Sequence, residues 1–85
     1  MKITILYFAA LREALGVERE TVDLPSDVAT AAALRGWLCA RGGVWAEVLA
    51  DGRSLRIAID RKLAGPESAL TEGIEVAVFP PVTGG

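Results

Sequence analysis

The residues of this 85-residue sequence best suited to chemistry are its last six, Pro80, Pro81, Val82, Thr83, Gly84 and Gly85. They follow directly on an apolar, strand-like run, and paired prolines favour extended polyproline geometry. Residues 80–85 are therefore expected to form a flexible tail that projects about 20 Å from the body at ~3.3 Å per residue. Gly84 and Gly85 have no side chains, so they fit a narrow channel and leave the Gly85 carboxylate open to attack. A carboxylate is a poor acyl donor until it becomes an acyl-adenylate, after which a sulfur nucleophile displaces AMP and leaves a thiocarboxylate. A Gly-Gly end alone is weak evidence, arising in roughly 0.5% of chains at ~7% glycine usage. A strand, two prolines and then Gly-Gly in the last positions is far more specific.

The rest of the chain offers few reactive groups. There is no histidine, and Cys39 is the single cysteine, which excludes disulfide frameworks, the usual zinc sites and His-dependent triads. Cys39 lies among apolar residues with no cation near in sequence to activate it, and reads as a structural thiol. The net charge is −2, with Lys and Arg dispersed among Asp and Glu; that pattern argues against nucleic acid as a partner. No apolar run reaches the ~18 residues of a membrane span. Lys2 and residues 3–11 imitate a secretory leader only superficially, since cleavage would remove the best strand of a small domain. A free cysteine suits a reducing compartment, so a cytoplasmic location is expected.

The elements that must hold the tail are legible from periodicity. Residues 3–8 form an apolar β-type run, expected to be the central strand. Residues 9–15 favour helix, with Gly16 placed as a C-terminal cap. Residues 18–24 make a half-exposed strand with Glu20, Val22 and Leu24 on one side, stopped by Pro25. Thr30 caps the main helix, where Ala31, Leu34 and Leu38 form one apolar stripe; Gly42 and Gly43 are expected to end it. A short turn at 45–49 is expected under the sheet edge. After Asp51-Gly52, residues 55–60 alternate as a strand, and 62–64 suit a further short one. Residues 74–79 form the last strand, with Ile74, Val76 and Val78 on one face and Glu75, Ala77 and Phe79 on the other. The order defines an α+β domain: a ubiquitin-like β-grasp over residues 1–79, with a mixed four- to five-stranded sheet and one main helix.

The segment Phe79-Pro80-Pro81-Val82-Thr83-Gly84-Gly85 resembles the terminal signature of the small subunits of molybdopterin synthase. The resemblance extends over Leu6-Tyr7-Phe8-Ala9, Leu11-Arg12-Glu13, residues 30–35, Asp51-Gly52 and Leu70-Thr71-Glu72-Gly73. Two positions depart from the family pattern: Asp60 stands where asparagine is frequent, and Ile74 replaces a common aspartate. The resemblance implies a sulfur carrier for molybdenum cofactor biosynthesis. By the same resemblance, an adenylating enzyme related to those of ubiquitin would activate Gly85, using ATP and magnesium, and a sulfur donor protein would load it. The tail then enters the large synthase subunit and gives sulfur to a pterin precursor. The chain alone would bind no cofactor or metal and would not be an enzyme in isolation, but the sulfur-donating member of a heterotetramer of two small and two large subunits.

Docking residues follow from alternation and from the same resemblance. Phe8 and Phe79 point away from the buried faces of neighbouring strands and are expected to share a patch, which the resemblance extends to Leu63. Pro80, Pro81, Val82 and Thr83 would contact the partner as the tail enters it. Arg12, Arg61 and Lys62 are candidates for acidic partner residues, while Trp37 and Trp45 read as packing residues. Competing readings are a sulfur carrier for thiamine thiazole or tungsten cofactor synthesis, a ubiquitin-like protein modifier linked through Gly85, and a binding module with an inert tail.

Overall fold

The computed structural model describes residues 1–81. Eight elements follow one another: β1 (Lys2–Tyr7), α1 (Ala9–Leu15), β2 (Arg19–Asp23), α2 (Ala31–Cys39), α3 (Gly43–Val48), β3 (Arg56–Ile59), β4 (Lys62–Ala64) and β5 (Glu75–Phe79). They build one five-stranded sheet in the order β2-β1-β5-β3-β4. β1 and β5 run parallel, with Tyr7 opposite Val78, and the other pairings are antiparallel. The architecture is the ubiquitin-like β-grasp read from the sequence. The central strand, however, is β5, and β1 lies beside it.

Period-two alternation gives the sheet a buried inner face. Ile3, Ile5 and Tyr7 of β1 and Val76 and Val78 of β5 are buried, together with Ile74 just before β5. The α2 stripe of Ala31, Leu34 and Leu38 is buried with them, as the spacing predicts. Burying each large aliphatic side chain contributes about 1.5–3 kcal/mol before conformational entropy is set against it. The outer half of β1 is only partly covered, because the helices occupy one side of the sheet.

Both ends of α2 have specific partners. Thr30 Oγ1 accepts the Ala33 N–H at 3.2 Å, and the N–H groups of Ala31 and Ala32 donate to the carbonyls of Ser68 and Pro66 at 3.0 and 2.9 Å. The loop before β5 thus satisfies first-turn donors that the helix cannot. The C-terminal end departs from expectation: α2 closes on Ala40 in right-handed geometry, before the glycine pair. Gly42 (φ 78°) instead caps α3, and Gly43 (φ 55°) opens it. Left-handed backbone at both residues reverses the chain sharply, which two glycines allow without strain. α3 packs against α1 and α2. Gly16 at φ 71° ends α1 as predicted, its N–H donating to Arg12 O.

The amino terminus is fastened at one end of the sheet. The Met1 amine donates to Asp23 Oδ1 at 3.1 Å and Leu24 O at 3.3 Å, and Lys2 N–H donates to Glu72 Oε1 at 3.0 Å.

Asp60 and Arg61 form the two-residue connection between β3 and β4, with φ of 47° and 71°. Positive φ at both central residues is the signature of the turn that matches strand twist. Asp60 tolerates it and stitches the turn to β5: its Oδ1 accepts the Glu75 N–H at 3.0 Å and its N–H donates to Glu75 O at 2.9 Å. Arg61 gains nothing there to offset the left-handed conformation. Arg61→Gly is therefore expected to stabilise the fold by about 0.5–1 kcal/mol, net of glycine's added chain entropy. Urea unfolding should show a higher midpoint at unchanged slope.

Candidate functional site

The site has two parts, a sheet face and the root of the tail. On the outer face, register places Leu6 opposite Ala77, Ala77 opposite Ala58, and Ala58 opposite Leu63. This apolar row crosses four strands, roughly 14 Å at one strand spacing per step. The next row holds Phe79 opposite Arg56, and Phe8 lies alongside, its N–H donating to Val78 O at 3.2 Å. Phe8 is 43% exposed and Leu63 74% exposed, while Phe79 is half-buried. The structure thus puts Phe8, Leu63 and Phe79 on one face, as alternation implied for the two phenylalanines and the resemblance for Leu63. Leu6, Ala58 and Ala77 complete it, and sequence reading did not single them out as a surface; only strand register shows that they align. The two alanines keep the middle of the row low, with Leu63 raised at one end.

A sharp change of direction presents Phe8. Ala9 adopts φ 53°, a left-handed conformation costing about 1–2 kcal/mol outside glycine. It turns the chain from β1 into α1, so that Phe8 stays on the outer face while Leu11 enters the core. The first-turn N–H groups of Leu11 and Arg12 both donate to Phe8 O, at 3.2 and 3.4 Å.

The tail leaves β5 beside Phe8. Pro80 and Pro81 are half-buried: Pro80 borders a recess of about 300 Å³ with Leu11, Val48 and Leu55. Val82, Thr83, Gly84 and Gly85, the positions expected to carry the chemistry, lie outside the described residues. Among the described residues no three His, Cys, Asp or Glu side chains group as metal ligands, and no helix is long and apolar enough to cross a membrane.

Behind Phe8, the inner face holds a polar network absent from the sequence reading. The buried Tyr7 hydroxyl donates to Glu20 Oε2 at 2.7 Å. Arg41 clasps the same carboxylate through both terminal nitrogens at 2.9 Å each, in fork geometry that suits guanidinium and carboxylate. The guanidinium also lies 5.3 Å from the Trp37 ring centre and 4.4 Å from that of Trp45. Trp45 meets Tyr7 edge-on at 5.5 Å. Trp37 and Trp45 thus pack, as expected, and also stack on a cation. Burial by itself would raise the Glu20 carboxyl, but hydrogen bonds from Arg41 and Tyr7 and the Arg41 charge outweigh it and hold the group below its ordinary value. Burial, and then the hydrogen bond to Glu20, push the Tyr7 phenol far above its ordinary range.

Three basic candidates and the cysteine remain. Arg12, Arg61 and Lys62 are exposed. Cys39 is half-buried, its Sγ 3.7 Å from Ala46 O, consistent with a structural thiol.

A parallel pairing of first and last strands, one main helix across the inner face and an apolar outer face beside the end of β5, in a sequence that closes on Gly-Gly, define a ubiquitin-like carrier or modifier. The chain matches the ThiS family over residues 5–85 and belongs to it. It is 45% identical to the molybdopterin synthase sulfur carrier subunit of Haemophilus influenzae, over 98% of this chain and 99% of that protein. The Escherichia coli protein of the same name is 41% identical over the same shares. Among solved structures, SAMP1 from Haloferax volcanii superposes with a TM-score of 0.79 at 26% identity, with all of both chains covered.

Removing one member of the network should be costly. Tyr7→Phe keeps the ring and strips a donor from a charged acceptor, and should cost about 1–2 kcal/mol in chemical denaturation. The Glu20 carboxyl sits below its ordinary value of 4.5 in the folded chain. Its contribution is therefore complete above that value and lost as pH falls through the lower folded one. Glu20→Gln should be less stable than wild type at neutral pH, with the gap narrowing as pH falls below the ordinary carboxyl value of 4.5.

Proposed function

We propose that the chain is the sulfur carrier subunit of a molybdopterin synthase, with the Gly85 carboxylate as its working group. The observation that carries this reading is the likeness to curated sulfur carrier subunits along nearly the whole chain, together with a family match that runs through Gly85. The adenylating enzyme converts the Gly85 carboxylate to an acyl-adenylate at the expense of ATP, with magnesium, and releases pyrophosphate. Sulfide-level sulfur released by a donor protein then attacks the acyl carbon, AMP departs, and the thiocarboxylate remains. The loaded tail enters the large synthase subunit and transfers sulfur to the pterin precursor. The chain supplies no catalytic side chain of its own; residues 1–79 act as the grip and 80–85 as the arm. Both enzymes are cytoplasmic in this scheme, and the chain with them.

The outer face is the docking surface. Phe8, Leu63 and Phe79 offer apolar anchors beside the tail, and Pro80, Pro81, Val82 and Thr83 line the path that Gly84 and Gly85 follow. An exposed apolar patch of this kind, at the root of a reactive arm, suits successive partners that must each hold the body while drawing in the tail. The likeness to SAMP1 keeps protein modification as a second reading, in which Gly85 ends in an isopeptide bond.

Intact mass separates the readings. With adenylating enzyme, ATP and a sulfur donor, the chain should gain about 16 Da as sulfur replaces oxygen; conjugates of higher mass would favour a modifier. A variant ending at Thr83 should show no gain and support no dithiolene formation. Leu63→Asp should weaken binding to the large subunit by about 30-fold or more, the effect of losing an anchor worth ~2 kcal/mol, without lowering stability.

A further inference from the structure

Three arginines line one recess where the chain leaves its last strand. An open recess of about 340 Å³ there is lined by Arg35, Arg53, Arg56, Asp51 and Pro81. Arg35 is half-buried, and its Nε donates to Leu49 O at 2.8 Å while Nη2 donates to the carbonyls of Ala50 and, at 2.7 Å, Arg53. All three acceptors are neutral, so its charge is left uncompensated. The same bonds tie down residues 49–53 and hold the backbone of Arg53 in place. Arg53 and Arg56 are exposed, and among the described residues neither forms an ion pair.

The sign of this region runs against the rest of the molecule. Three guanidiniums against the carboxylate of Asp51 leave two positive charges at the recess, in a chain whose net charge is −2. Register also joins the recess to the docking face, because Arg56 pairs with Phe79. A free anion such as phosphate is held by donors that enclose it; here the recess is open and two of the cations stand at the surface. That arrangement suits carboxylates presented by another protein's surface, which steer encounter and fix register at the rim of an apolar contact.

We propose that Arg53 and Arg56, on the loop that Arg35 secures, receive Asp or Glu side chains of the large synthase subunit at the mouth of the channel that takes the tail. The proposal rests on the sulfur carrier reading and deepens it, since the cationic recess borders Pro81 and orients the arm as it enters. These residues differ from Arg12, Arg61 and Lys62, which lie elsewhere on the surface.

The test compares the full-length chain with Arg53→Glu/Arg56→Glu and with Arg53→Lys/Arg56→Lys for affinity to the purified large subunit across salt. At ~50 mM salt the reversed pair should bind about 10-fold or more weakly, chiefly through slower association, and the difference should shrink to within about 3-fold by ~0.5 M. The lysine pair should stay within about 3-fold of wild type. Unchanged affinity of the reversed pair at low salt would overturn the proposal, as would a deficit that persists at high salt. Should the reversed pair fail to give a native melting profile, Arg53→Gln/Arg56→Gln is judged by the same criteria. Intact mass after activation keeps the two claims apart: absence of thiocarboxylate on wild-type chain refutes the sulfur carrier reading, whatever the binding series gives.

Discussion

Parallel pairing of β1 with β5 is the constraint on which the rest of the structure depends. Antiparallel neighbours can be joined by a two-residue turn, whereas parallel ones need a long crossover. Here everything between Tyr7 and Glu75 is that crossover, and it does three jobs: α2 covers the inner face, β2 extends one edge of the sheet, and β3 with β4 extends the other. Because β1 and β5 run the same way, the end of the last strand emerges beside the start of α1. That pairing brings the tail root and Phe8 together, and the antiparallel pairing of β3 with β5 sets Arg56 beside them.

The two faces of the sheet are coupled through adjacent residues. Tyr7 is locked on the inner side by Glu20, Arg41 and Trp45, and the next residue, Phe8, is displayed on the outer side. The left-handed turn at Ala9 stores modest strain, sustained because the buried network and Leu11 fix the chain on either side of it. An exposed aromatic at the end of a strand would otherwise fray; here its neighbour is a fully buried side chain.

Much of this arrangement could be read from the sequence, and what could not has a common cause. Alternation in residues 74–79 identified the shared face of Ile74, Val76 and Val78, and the spacing of Ala31, Leu34 and Leu38 identified the helix stripe, because both patterns are local. Gly16 and Thr30 announced helix ends through their own chemistry. Strand order is not local: nothing in the apolar run of β1 says that β5 would take the centre. Nor does a row such as Leu6, Ala77, Ala58 and Leu63 exist before register aligns four strands. The Tyr7–Glu20–Arg41 network joins residues 13 and 21 positions apart, and in sequence each looks ordinary. Gly42 and Gly43 were recognised as a break, but a glycine pair that ends one helix and a pair that starts the next look alike until the chain's direction is known.

The fastening of Met1 at the opposite end of the sheet has a practical consequence. Its amine sits roughly 20 Å from Phe79, the length of the intervening strand. Its ion pair is with Asp23, whose side chain is 72% exposed, and such a contact adds little to stability. A surface tether or fluorophore joined to the first residue would therefore leave Phe8 and Phe79 at the far end of the sheet uncovered, so that partners binding there could be watched as they arrive and depart.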